Sequence, residues 1–221
     1  MKPQLVYLHG FASSPGSTKA SFFRFRLLDL GLMLEVPELA PDFRRMTITS
    51  QLAIVEPILE RGPTILLGSS LGGYLAALLA ERHPESVAGL VLFAPAFGFL
   101  TRWEQRLGAA AMARWRSEGK LDVYHYGKER EEPLSIALID DAKTYPEQPE
   151  VQCPTLIFAG RRDDAVPLDA VERFADARPE RDLVVLDAGH ELTEVLEPIW
   201  QLTHGFLSSL GAEPASERKG F

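Results

Sequence analysis

Short apolar runs alternate along the chain with longer stretches that are apolar on one side only. QLVYL (4–8), LEVPEL (34–39), PTILLG (63–68), VAGLVLFAPA (87–96), PTLIFAG (154–160) and DLVVLDAG (182–189) have strand length and strand composition. Between them, residues 18–30 carry Phe22, Phe25, Leu28 and Leu30 at near-helical spacing. Helices are also predicted over 47–61, 71–83, 168–178 and 192–210, the first of these despite Pro57 inside it and the second ended by Pro84.

Strands that alternate with helices predict an α/β fold: a mostly parallel sheet of about six strands with helices on both faces. The near-continuous apolar character of several strands agrees, because a strand covered on both sides keeps no polar face. Residues 1–210 are expected to form one domain. One interval breaks the rhythm. Residues 97–150 hold Trp103, Trp115, Tyr124, Tyr126 and the charge run KEREE (128–132), with no clean strand–helix unit. That interval is expected to be a cap or lid inserted over one edge of the sheet. The tail 211–221, GAEPASERKGF, has little to bury and is expected to be flexible.

Composition narrows the function classes. The 221 residues carry 23 Lys+Arg against 31 Asp+Glu, a net charge of −8 without a basic block, so neither nucleic acid nor an anionic membrane surface is an expected partner. The single cysteine, Cys153, excludes an intrachain disulfide, and the five histidines are scattered without a metal-ligand spacing. LVYL is too short for a signal-peptide core and no apolar run approaches membrane-span length, so a cytoplasmic protein is expected, a monomer by default.

The candidate chemistry begins at GSSLG, which fits G-x-S-x-G with Gly68, Ser70 and Gly72. Gly and Ser are common, and the pattern alone is weak. Its setting is specific: a buried strand runs into it and a helix starts at Leu71, as a nucleophile elbow requires. Small flanking residues let such a turn close, and the turn lifts the serine Oγ above the strand end. The N–H of Leu71 then points into the same space from a helix N-terminus, where negative charge is favoured.

A serine hydroxyl needs a base, and the base needs an orienting carboxylate. DAGH (187–190) puts His190 after the last strand, and GRRDDAVP (160–167) puts acids after the strand before it. Ligands and chemistry gather at that edge of an open α/β sheet. Asp163, Asp164 and Asp187 are all available to hold the histidine. LHGF (8–11) follows the first strand and offers the N–H of Phe11 as a second oxyanion donor, with His9 as a loop-shaping hydrogen bonder. Phe97, Phe99, Trp103, Trp115, Tyr124 and Tyr126 are candidates for an acyl pocket and equally for a small core of the cap itself. Ser17 and Lys19 are expected in capping and surface roles, and His125 at the surface.

From about residue 4 to 210 these segments resemble the α/β-hydrolase superfamily. HGFASSPGSTKA and GSSLGGY are similar to the small bacterial YqiA-type esterases. With CPTLIFAGRRDDAVP added, they also resemble the abhydrolase-10-type thioesterases. The G-x-x-D-x-x-V-P spacing of those relatives lands on Asp163. The resemblance implies a serine hydrolase with Ser70, His190 and Asp163 as its triad. It would cleave a small acyl ester or thioester through an acyl-enzyme, without a metal or organic cofactor. The antiparallel strands that usually precede the HG strand are missing, and the cap matches neither group closely enough to carry a substrate over. Rival expectations are a peptidase or perhydrolase with the same triad, and a non-catalytic small-molecule receptor on a hydrolase fold.

Overall fold

A computed structural model describes residues 2–212. In chain order its elements begin β1 (Gln4–Leu8), α1 (Thr18–Asp29), β2 (Leu34–Glu35), α2 (Ile48–Leu59), β3 (Thr64–Ser69), α3 (Leu71–Arg82) and β4 (Val87–Phe93). There follow α4 (Phe99–Glu118), β5 (Lys120–His125), β6 (Arg130–Ser135), α5 (Ala137–Ala142), β7 (Thr155–Gly160), α6 (Leu168–Asp176), β8 (Arg181–Leu186) and α7 (Leu196–Ser209). Six strands form one sheet in the order β2-β1-β3-β4-β7-β8, and every neighbouring pair is parallel.

Side chains alternate across that sheet with the period of two that a pleated strand imposes. Val6, Leu8, Leu66, Leu90, Leu92 and Ile157 face one core, shared with α2, α3 and α6. Leu5, Tyr7, Ile65, Leu67, Val91, Phe93 and Phe158 face the other, shared with α1 and α7. Both faces are covered, so β3 and β7 are buried at all six positions each. Capping follows local sequence. Thr47 and Ser50 exchange side-chain bonds to each other's N–H at the start of α2, 3.0 and 2.9 Å.

Three expectations change in detail. LEVPEL gives a strand only over Leu34–Glu35, because Pro37 has no N–H to extend the ladder. The last helix begins at Leu196 rather than 192, since Leu192 is left-handed (φ 55) and a short 3₁₀ turn, Thr193–Val195, intervenes. In the tail, Ala212 is buried and its N–H reaches Leu207 O at 3.0 Å; residues 213–221 lie outside the described residues.

The interval 97–150 has more regular structure than its sequence pattern suggests. It holds α4, the antiparallel hairpin β5–β6 and α5. Gly108 (φ 75) kinks α4 and interrupts the helical periodicity. KEREE forms the hairpin turn and the start of β6; its charges lie at the surface except Glu132, which is partly buried against Lys128 and Arg130, and Leu134 of the same strand is buried. Trp115 ties helix to hairpin: it is 1% exposed and its Nε1–H donates to Leu134 O at 3.0 Å. Among the described residues no helix is long and apolar enough to cross a membrane.

Trp115→Ala removes that packing and orphans the carbonyl, and is expected to destabilise the protein by about 3–5 kcal/mol. Urea unfolding checks it; an unchanged midpoint would mean that α4 and the hairpin do not depend on each other.

Candidate active site

β3 runs into Ser70, whose backbone sits at φ 52, ψ −117, a conformation that side chains other than glycine rarely adopt. The glycines around it are required by close approach. A Cβ on Gly68 would lie 2.5 Å from Gly72 O, and one on Gly72 would lie 2.1 Å from Leu8 O. α3 therefore packs directly onto the ends of β1 and β3, and its first residue, Leu71, follows Ser70 with an N–H that has no carbonyl one turn earlier.

His190 Nε2 lies 2.9 Å from Ser70 Oγ, and His190 Nδ1 lies 2.8 Å from Asp163 Oδ2. A carboxylate only accepts, so Nδ1 carries the proton, and Nε2 is left as an acceptor for the serine O–H. Asp163 Oδ1 accepts from the N–H groups of Ala165 and Val166, both at 2.8 Å. Burial alone would raise the Asp163 pKa, since its side chain is 3% exposed, but the bonds from His190 and the two backbone N–H groups outweigh it and hold the carboxyl below its ordinary range. The structure thus brings Ser70, His190 and Asp163 into one line, while Asp164 and Asp187 are exposed and Asp187 pairs with Arg162.

Ser70 and His190 open on a cavity of about 930 Å³, with Asp163 buried behind the histidine. Phe11 and Leu71 stand in its wall beside Ser70, as does Gly10, whose missing Cβ would contact Ser70 Cβ at 3.4 Å. His9 is buried behind them. Its Nε2 accepts the Leu39 N–H at 3.3 Å and its Nδ1 sits 3.1 Å from Gly10 O, so one tautomer satisfies both contacts and shapes the loop.

Of the candidate pocket aromatics, Phe99 and Trp103 line the cavity, with Tyr126 from the hairpin. Phe97, Trp115 and Tyr124 do not. Phe97 is fully buried and stacks on Phe174 of α6 at 4.1 Å. Trp115 lies behind Trp103, ring centroids 5.5 Å apart, as a second layer. Tyr124 is half-exposed and packs edge-on against Tyr126.

Two further residues depart from their expected surface positions. His125 is buried edge-on against Phe43. Lys19 is 5% exposed in the cavity wall, donates to the backbone carbonyl of Glu191 and lies 3.7 Å from its carboxylate. Burial lowers its pKa, against the pull of Glu191. Helical spacing marked only Phe22, Phe25, Leu28 and Leu30 of this helix, and Lys19 enters the wall because it is on the first turn of α1, beside the loop after β8.

The sequence model of a family described as an uncharacterised protein family, UPF0227, matches residues 4–208. The chain belongs to that family. Beyond UPF0227, it is 29% identical over 150 residues to the mouse mitochondrial palmitoyl-protein thioesterase ABHD10, covering 65% of this chain and 50% of that protein. The chain therefore spans about half the length of the thioesterase relatives it matches. It is 25% identical over 215 residues to a pimeloyl-[acyl-carrier protein] methyl ester esterase of Chromobacterium violaceum, covering 80% of this chain and 83% of that one. Among solved structures, mouse alpha/beta hydrolase domain-containing protein 10 superposes with a TM-score of 0.77 at 24% identity, covering 95% of this chain and 90% of that one. A putative hydrolase from Agrobacterium vitis gives 0.80 at 23%, covering 95% and 88%. The UPF0227 chain has the α/β-hydrolase fold.

Gly72→Ala forces a Cβ against Leu8 O and His9 O, so β1 and α3 must part. A lowered Tm is expected, corresponding to about 1–3 kcal/mol; an unchanged Tm would contradict the close approach. Asp163→Asn tests the electrostatics. A carboxyl with a depressed folded pKa adds stability above its unfolded pKa and loses it as pH falls through the folded one. Stability of the Asn variant is therefore expected to fall less steeply than that of the parent below about pH 4. Parallel curves would show that Asp163 does not carry that acid limb.

Proposed function

We propose that this protein is a serine hydrolase that cleaves a carboxylic ester or thioester through an acyl-enzyme. The observation that carries the reading is the unbroken hydrogen-bonded line from Ser70 Oγ through His190 to Asp163, with 2.9 and 2.8 Å links, opening on the cavity. His190 Nε2 takes the Ser70 proton as Oγ attacks the acyl carbonyl carbon. The carbonyl π electrons move onto oxygen, which the N–H groups of Phe11 and Leu71 stabilise at the α3 N-terminus. The tetrahedral intermediate collapses, the bond to the alcohol or thiol breaks, and His190 returns the proton to it. Water repeats the sequence with the same proton route and releases the acid. Asp163 stays ionised throughout and stabilises the imidazolium, a role suited to a carboxyl held below its ordinary range.

The relatives' names support the reaction class: one is called a thioesterase and another a methyl ester esterase, and both descriptions are acyl transfer to water. Either leaving group fits a triad that needs only a carbonyl and a protonatable leaving atom. Phe99 and Trp103 give the acyl group an apolar wall.

Fluorophosphonate labelling tests the assignment. The probe is expected on Ser70 by peptide mass spectrometry, and to be lost in His190→Ala. In Ser70→Ala, hydrolysis of p-nitrophenyl butyrate is expected to fall by about a thousandfold or more with the fold intact. A folded Ser70→Ala variant that keeps its activity would remove Ser70 from the chemistry.

A further inference from the structure

The cavity beside Ser70 is more cationic than the chain around it. The protein carries a net charge of −8, yet Lys19, Arg102 and Arg106 all stand in the cavity wall. The acids there are Glu191, beside Lys19, and Glu129 on the hairpin turn. Arg102 and Arg106 are four residues apart on the first half of α4, before the Gly108 kink, and so share a face. Their neighbours further along α4, Arg114 and Arg116, each hold a carboxylate, Glu118 and Asp140. Among the described residues, no carboxylate lies within ion-pair distance of Arg102 or Arg106.

Arg102 is the more telling of the two. It is half-buried, and burial works against its charge, with Asp163 and Glu147 offsetting this only from a distance. The guanidinium packs against Gly98, where a Cβ would lie 3.0 Å from Arg102 Nη1 and 3.9 Å from Glu147 Oε2; Glu147 shares this corner but stays beyond ion-pair distance of Arg102. A charge kept half-desolvated without a partner, in the wall that holds a nucleophile candidate, is a binding element awaiting an anion.

We propose that the substrate carries a carboxylate or phosphate, which Arg102 binds through its planar fork while Arg106 draws it in at the cavity mouth. This rests on the hydrolase reading of the same cavity. The anion belongs either to the acyl group or to the leaving group, and two ester pairs separate these. Phenyl hydrogen glutarate against its glutaramic amide isostere puts the charge on the acyl side. 4-Acetoxybenzoate against 4-acetoxybenzamide puts it on the leaving group.

In one pair, kcat/KM is expected to favour the charged ester by about tenfold or more, the value of a charge-assisted contact. That ratio should collapse in Arg102→Gln, recover in part in Arg102→Lys, and shrink as salt is raised. Equal rates within both pairs, or a preference that survives Arg102→Gln, would overturn the proposal and leave the hydrolase reading standing. The same esters titrated calorimetrically into Ser70→Ala give a readout without turnover. Arg102-dependent binding of a charged ester by a protein that hydrolyses none would keep the anion site and remove the hydrolase. Charged and neutral esters binding alike would remove the anion site.

Discussion

The backbone of Ser70, at φ 52 and ψ −117, costs about 1–3 kcal/mol, and the site exists only because the surroundings hold it there. Four hydrogen bonds do so. Ser70 N–H donates to Phe93 O at the end of β4 (2.9 Å), and Ser70 C=O accepts from Gly73 (2.9 Å), Tyr74 (3.2 Å) and Ala96 (3.0 Å). Two of these reach β4 and the residues just after it, and two belong to the first turn of α3. Relaxing the serine would break bonds on both sides at once. Gly68 and Gly72 are the sequence's contribution, since any Cβ there would meet backbone atoms that cannot yield as a side chain end can.

The same constraint extends around the cavity. Ala12, Ser70, Ala94, Glu129 and Leu192 are the non-glycine residues with positive φ among those described. Ser70 and Glu129 stand in the wall; Ala12, Ala94 and Leu192 lie within two residues of others that do. Strain gathered at the carboxyl edge, rather than spread over the sheet, fits a fold whose parallel ladders hold its loops in unfavourable turns. The loops are tied to one another as well. Lys19 on α1 donates to the carbonyl of Glu191, next to His190, and Gly127 on the hairpin turn donates to Ala12 O at 3.4 Å. The loop after β1 is thereby linked to the histidine loop and to the hairpin.

Sheet and site differ in how far the sequence discloses them. The inner strands β1, β3, β4 and β7 are readable because burial on both faces demands apolar runs, and the run of Thr64–Ser69 has no exposed position to blur it. Ser70 and His190 are readable because motif and chain order both point to strand ends, whereas Asp163 is set apart from Asp164 and Asp187 only by the spacing of the proteins the chain resembles; the three meet within hydrogen-bond distance. The 97–150 interval is not readable in the same way. Its hairpin strands bury little, REEPLS shows no alternation to pair with that of KLDVYH, and Gly108 breaks the period of α4. An aromatic residue there carries no mark of which side it will face. Trp103 and Trp115 are twelve residues apart on one helix, yet one meets the cavity and the other the core behind it. Lys19 shows the converse, a charge that local sequence assigns to the surface and a loop 172 residues away takes inside.

That division has a physical reason that bears on function. The line from Ser70 to Asp163 hangs on β3, β7 and β8, whose parallel ladders fix strand ends relative to one another, so these side chains inherit the rigidity of the sheet. Arg102 and Trp103 hang on α4, whose link to the sheet runs through side-chain packing and the αL residue Gly98. Backbone ladders tolerate many side chains and therefore preserve geometry; side-chain packing changes with each substitution and therefore alters what the cavity accepts. On the proposed reading, chemistry is anchored to the first and recognition to the second, and the two can vary independently. On that reading the motif residues speak to the reaction, and the choice of substrate is set by the charge and shape of the α4 wall.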